Sequence, residues 1–199
     1  MSLRGNKKGV SNLDGLLKWV NRLLLILIIG INIYILIAPV WPEVTYKVSS
    51  ITTKPITEDE FAGLDRSTNH LIIPSLNLDK PIYTGAGAEE LNKGIWHRPQ
   101  TSTPDKGSNT VFVGHRWLYN DPEAAVFYHL PKVKDSDKIV AVWDGKIYVY
   151  KVTNIKEVDP TEISVEAPTS DSRLTVYTCT PLWTATKRLI ITASLEKTL

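Results

Sequence analysis

KIVAVWDGKIYVYKV, Lys138 to Val152, consists of two runs rich in β-branched and aromatic residues joined by Asp144-Gly145. An Asp-Gly pair between such runs suits a two-residue turn in which both central residues take positive φ, and it is the strongest short-range hairpin signal in the chain. Strand-like stretches lie on either side. HLIIPSL (70–76) and LDKPIYT (78–84) are brief β-rich runs punctuated by Pro74 and Pro81, as at sheet edges. SNTVFVGH (108–115) alternates toward Gly114, and LTVYTC (174–179) and KRLIITASL (187–195) complete the set. Roughly seven or eight short strands in about 130 residues predict a mainly β domain, closed or sandwiched. Helical character is limited: AEELNKGIW (88–96) and DPEAAVFYHL (121–130) each read as one or two turns.

Ahead of the strands lies a different kind of sequence. The first 22 residues carry Arg4, Lys7, Lys8, Lys18 and Arg22 against the single acid Asp14, although the whole chain of 199 residues has a net charge of only +2. So small a net charge argues against a nucleic-acid partner, and the basic end points to membrane orientation. Directly after it, LLLILIIGINIYILIAPVWP, Leu23 to Pro42, holds no charged residue and one strongly polar one, Asn32. About twenty helical residues span a bilayer core, and Trp19 and Trp41 flank the run where aromatic belts sit. A cleaved signal peptide has a shorter apolar region and a small-residue cleavage site, so the reading is an uncleaved anchor with its N-terminus in the cytoplasm. The expected organisation is a cytoplasmic basic segment (1–22), a transmembrane anchor (23–42), an extracytoplasmic stalk (43–68) and a β domain (69–199). Within the stalk, Thr57 followed by Glu58, Asp59 and Glu60 reads as a capped short helix.

Two site types are excluded by pattern. TGAGAEE (84–90) has the first two glycines of a phosphate loop, but Glu89 and Glu90 would repel an anion, so it reads as a turn into a helix N-terminus. No H-E-x-x-H, C-x-x-C or calcium-loop pattern occurs, and no cofactor is expected.

The chain has one cysteine, Cys179, in TVYTCTPLWTATKR (175–188). Outside the cytoplasm a single thiol cannot form an intramolecular disulfide; it is buried and inert, paired with another chain, or reactive. Strand alternation puts Thr175, Tyr177 and Cys179 on one face, with Thr180-Pro181 ending the ladder. If the next strand is an antiparallel neighbour, Arg188 lies at the same sheet edge and offers a permanent charge to a carbonyl or oxyanion. His115, after Gly114, also ends a strand and could supply an acid–base partner. Taken singly, each of the three has an equally good structural explanation.

Together with their flanking words they resemble the sortases, membrane-anchored cysteine transpeptidases of mostly Gram-positive-type bacteria. Thr175-Val176-Tyr177-Thr178-Cys179 is one conservative change from the family's T-L-x-T-C motif; the Thr-Pro that follows and the R-L-I-I strand starting at Arg188 also fit. NTVFVGHR matches the segment of the family's histidine, HLIIPSLNLDKPIYTG resembles its opening strands, and LNKGIWHRPQTSTPDKGSN and FYHLPKVKDSDKI resemble the segments on either side of the histidine strand. The resemblance covers about Asn69 to the C-terminus. It implies a closed eight-stranded β-barrel and acyl transfer on an LPxTG-like signal, cleaved between Thr and Gly. Cys179 would be the nucleophile, His115 the acid–base and Arg188 the positioning and oxyanion group, with Thr178 and Trp183 as expected signal-binding residues. The acceptor would be an amine of a peptidoglycan precursor, or a pilin lysine.

The departures are specific. Val176 stands where leucine is usual. No Asp-Pro-Trp/Phe lid precedes the barrel and no second hydrophobic segment follows it, which favours wall attachment over pilus polymerisation. The stretch NIKEVDPTEISVEAPTSDSR (154–173), with acids at Glu157, Asp159, Glu162 and Glu166, corresponds to the loop that shapes the family's signal groove. The same residues would also suit a membrane-anchored cysteine endopeptidase. An L,D-transpeptidase fits poorly, since its cysteine follows an S-H-G-like run. A catalytically silent β-domain that binds wall or surface peptides is the alternative from another class.

Overall fold

The computed structural model describes residues 7–199 apart from 39, 42, 45, 48–56, 119 and 120. The chain divides into two units, residues 1–48 and 49–199. In the first, helix α1 runs Lys7–Ile37. It starts well before the uncharged run, because nothing in 7–22 breaks a helix, and it stops ahead of Ala38-Pro39, where the residue before proline disfavours helical geometry. Asp14–Ile37 is long and apolar enough to cross a membrane. Asn32 donates its side-chain amide to the Ile28 carbonyl at 2.8 Å, so the polar residue of the run is satisfied within its own helix.

The second unit is built around a closed eight-stranded barrel. Its strands are β1 (His70–Ile73), β2 (Leu78–Thr84), β3 (Ile95–His97), β4 (Asn109–Val113), β5 (Lys138–Trp143), β6 (Lys146–Val158), β7 (Arg173–Thr180) and β8 (Lys187–Thr198), in spatial order β1-β2-β3-β4-β7-β8-β6-β5. The β2–β3 and β4–β7 pairs are parallel and the others antiparallel. The predicted hairpin is present: Asp144 (φ 49°) and Gly145 (φ 74°) both take positive φ between β5 and β6.

IVAVW reads as an unbroken apolar run because β5 is covered on both faces. Ile139, Ala141 and Trp143 join the barrel interior, while Val140 and Val142 pack outside against Phe61, Ile72, Ile147 and Val149. Phe61 comes from the 3-10 turn Glu58–Gly63, whose entry is held by the Thr57 N–H donating to Glu60 Oε2 at 2.8 Å.

Three expectations are corrected. Closure of the barrel leaves no sheet edge at Pro81, which lies inside β2 where pairing passes from β1 (His70 opposite Pro81) to β3 (Ile82 opposite Ile95). AEELNKGIW is a 3-10 turn only over Ala88–Asn92, and its last residues start β3 instead. The polar NIKEV continues β6 to Val158 by pairing with β8, so the loop before the cysteine strand starts at 159 rather than at Asn154.

Candidate active site

Alternation along β7 sends Leu174, Val176, Thr178 and Thr180 inward and Thr175, Tyr177 and Cys179 outward. Cys179 is a free, partly exposed thiol at the end of its strand. The connection to β8 is the six residues 181–186, because β7 runs to Thr180 and β8 starts at Lys187. Antiparallel register sets Cys179 directly opposite Arg188. Arg188 Nη1 donates to the carbonyls of Ala185 (3.1 Å) and Lys187 (3.0 Å), so the loop itself holds the guanidinium. Its Nη2 and Nε make no hydrogen bond among the described residues. They can receive a carbonyl oxygen or an oxyanion.

The third residue arrives through the parallel pairing of β4 with β7. Val113 lies opposite Tyr177, so the parallel register leads Gly114 and His115 toward the Cys179 end of β7. Two bonds secure this junction. The Gly114 N–H donates to the Tyr177 carbonyl (3.4 Å), and Thr178 Oγ1 donates to the Gly114 carbonyl (2.8 Å). The structure therefore corrects the expectation for Thr178. It is 1% exposed, faces the barrel interior, and fixes the strand end that carries His115 rather than lining the cleft.

His115 is half-buried, and burial pushes its pKa below the usual 6.5, which favours the neutral ring. Its Nε2 donates to Asn92 Oδ1 at 3.2 Å. Asn92 escaped the sequence reading because AEELN gives no sign of which loop reaches the histidine.

Arg116 was also missed. Next to His115 but of opposite parity, it turns under the site, donating Nε to the Tyr128 carbonyl (3.0 Å) and Nη1 to the Cys179 carbonyl (3.4 Å). Burial lowers its pKa, while Tyr128, Cys179 and Glu157 oppose that shift. A cation after the histidine was visible in GHRW, but its direction was not. Trp183, 58% exposed in the β7–β8 loop, meets Trp117 edge-on with ring centroids 6.5 Å apart, and Trp117 in turn meets Tyr128. The segment after His115 and the loop after Cys179 thus share an aromatic margin of the cleft.

Along the same outer face lies a cavity of about 330 Å³, lined among others by Lys156, Val165, Arg173, Thr175, Ile190 and Thr192. Cys179, His115 and Arg188 are not among its walls. Thr175 is four residues from Cys179, about 13 Å at the rise of a strand. The cavity is therefore a recess up the strand from the thiol rather than the reaction centre. Its roof is the loop before β7, which contains the 3-10 turn Ile163–Glu166. Among the described residues no group of three or more His, Cys, Asp or Glu could hold a metal ion.

A thiol, an imidazole and a guanidinium at one sheet edge can carry out acyl transfer through a thioester. Comparison with known proteins identifies the family. Sortase A of Listeria monocytogenes is 31% identical over 134 residues, covering 67% of this chain and 59% of that protein. Sortase A of Streptococcus agalactiae is 27% identical over 164 residues, covering 78% and 65%. The chain thus spans less than two thirds of the length of either relative. The crystal structure of the Listeria sortase A superposes with a TM-score of 0.58 at 30% identity, covering 67% of this chain and 90% of that one. A sequence model of the sortase domain matches residues 71–196, more than half of the chain. With the domain model matching most of the chain and a solved sortase superposing on it, this chain belongs to the sortase family.

Proposed function

We propose that the protein is a membrane-anchored sortase-type cysteine transpeptidase. The reading is supported above all by register: antiparallel pairing sets Arg188 opposite Cys179, and the parallel pairing of β4 with β7 runs toward the same end, where His115 follows β4. His115 takes the thiol proton as Cys179 Sγ attacks the threonine carbonyl of an LPxTG-like signal, and the oxyanion is held by Arg188. The C–N bond to glycine breaks as His115 delivers a proton to the departing amine. An incoming amine, from a peptidoglycan precursor or a pilin lysine, gives up a proton to His115 and attacks the thioester carbonyl. The new amide forms as the C–S bond breaks, and the departing Cys179 sulfur recovers its proton from His115. α1 serves as the anchor; the basic residues before its apolar part keep the N-terminus in the cytoplasm and the barrel outside. In this scheme the basic residues of 1–22 are cytoplasmic and the apolar part of α1, which ends at Ile37 rather than at Pro42, crosses the membrane. The catalytic domain takes in the 3-10 turn Glu58–Gly63, whose Phe61 packs on the barrel, so the stalk is shorter than the 43–68 expected from the sequence. Trp183 borders the signal at the mouth of the cleft.

The decisive experiment is intact-mass spectrometry of residues 43–199 with a pool of LPxTG-like peptides and triglycine, with Cys179→Ala as control. A thioester adduct on wild type alone, together with a peptide joined to triglycine, is the expected result. Cleavage without joining would convert the reading to an endopeptidase. Neither adduct nor cleavage with any peptide would favour a binding domain.

A further inference from the structure

We propose that Glu166 is a positioning residue for the signal groove. Clasped by Arg98 and Tyr177, its carboxylate holds the loop before β7 in a binding-ready position on the face that carries Cys179. This inference rests on the transpeptidase reading for its substrate.

The clasp joins three parts of the chain far apart in sequence. Arg98, just past β3, donates Nε to Glu166 Oε1 (2.9 Å) and Nη2 to Oε2 (3.1 Å), a two-pronged ion pair. The Tyr177 hydroxyl donates to the same Oε1 at 2.6 Å. The Arg98 guanidinium also stacks over the Trp96 ring, 4.9 Å from its centroid, so the cation is held from a second side. The two residues flanking Glu166 are fixed independently. Asn109 Nδ2 donates to the carbonyls of Val165 (2.9 Å) and Ala167 (3.0 Å), and Thr175 Oγ1 donates to Asn109 Oδ1 (2.7 Å). Asn109 is 3% exposed, so these bonds are shielded from competing water.

Position gives the clasp its role. Tyr177 and Thr175 are the outward residues two and four places before Cys179, and both help hold the loop. The carbonyls of Val165 and Ala167 are turned to Asn109, while Val165 and Ala167 also wall the 330 Å³ cavity. A peptide whose scissile carbonyl lies at Cys179 and whose upstream residues follow the outer face of β7 runs past this wall. Loosening the wall should weaken peptide binding and leave the chemistry at the thiol largely intact. The ion pair is also only partly exposed, 33% for the Arg98 side chain and 21% for Glu166, so it is shielded more than a surface pair.

The test compares Glu166→Gln, Glu166→Arg, Arg98→Glu and the double reversal Arg98→Glu/Glu166→Arg in the folded 43–199 domain, with folding checked by thermal melts. Amide hydrogen exchange over 159–172 and steady-state kinetics on a peptide turned over by wild type are the two readouts. The single reversals should lose loop protection and raise KM by roughly tenfold or more with kcat within about threefold. Glu166→Gln should lie between wild type and the reversals. The double reversal should regain part of both losses, since the paired charges return but the stacking on Trp96 does not. Equal protection in all variants, a double reversal no better than the singles, or a loosened loop with unchanged KM would each overturn the proposal. Failure of the transpeptidase reading looks different: wild type would turn over no sorting-signal peptide, and the exchange pattern alone would then decide the clasp.

Discussion

Gly114→Ala tests the junction that brings His115 to the thiol. Gly114 separates β4 from His115, and its two backbone groups bond to Tyr177 and Thr178. A Cβ at this position would lie 2.6 and 2.9 Å from Phe127 Cδ2 and Cε2 and 2.7 Å from Val126 Cγ2. All three distances are too short for carbon–carbon contact, and Phe127 is wholly buried, so its ring has nowhere to retreat. The backbone here does not need glycine's positive φ; the cost is steric alone. Overpacking of this kind costs about 1–3 kcal/mol. For a domain of this size that is a loss of roughly 2–12 °C in Tm, to be read by calorimetry. Relief by backbone shift displaces His115, and a shift of about 1 Å lowers acyl-transfer rates by around a hundredfold. Gly114→Ala/Phe127→Leu removes the two ring contacts and should recover part of the stability. Wild-type Tm and activity in Gly114→Ala would refute the argument, because they would show that the junction has room to spare.

Other substitutions separate chemistry from support. Cys179→Ala should abolish the thioester adduct in intact-mass spectra while leaving Tm within about 1 °C of wild type, since the thiol is partly exposed and makes no structural bond. Arg188→Gln should lower kcat/KM in peptide cleavage by about a hundredfold or more, the usual cost of removing an oxyanion donor, with little effect on unfolding. Arg116→Gln should reduce stability by about 1–3 kcal/mol in urea titration, because it strips donors from the Cys179 and Tyr128 carbonyls. His115 should titrate below 6.5 by NMR, as its burial demands. The unfolded chain then binds the proton more readily, so this histidine makes stability rise with pH between its lowered native pKa and 6.5 and adds nothing to the slope outside that window. In His115→Gln the dependence of Tm on pH in that window should flatten.

Local signals made part of this architecture legible, and nonlocal pairing supplied the rest. Asp144-Gly145 announced its hairpin because both turn residues need a backbone that few others adopt. Alternation in LTVYTC assigned Cys179 to the same face as Tyr177, and the structure keeps that assignment. IWH was unreadable as a strand: three residues carry no period, and β3 exists only because β2 and β4 pair with it on either side. NIKEV misled through its polarity, since the end of β6 pairs with β8 without burying most of its side chains. The Cys179–Arg188 juxtaposition could be inferred from a short loop between neighbouring strands. His115 could not be placed that way. β4 and β7 pair in parallel across some sixty residues, and no local pattern fixes such a register. For His115 the family motif supplied what strand periodicity lacked.

The parity of β7 has a consequence for how its variants should fail. Of its outward residues, Thr175 and Tyr177 bond to the groups that hold the loop before β7 and Cys179 is the proposed nucleophile; of its inward residues, Leu174 and Val176 join the core, Thr178 bonds to Gly114 ahead of His115, and Thr180 bonds to Glu157 of β6. Thr178 and Cys179 are adjacent in sequence yet opposite in function. Thr178→Val keeps the shape but leaves the buried Gly114 carbonyl without its donor, which costs about 1–3 kcal/mol and loosens His115. Its signature is a lower Tm together with a lower kcat. Tyr177→Phe removes only the hydroxyl bonded to Glu166, so it should raise KM while Tm stays close to wild type. If both variants showed the same pattern, the two faces would not be separable, and the distinction between groove and support would fail.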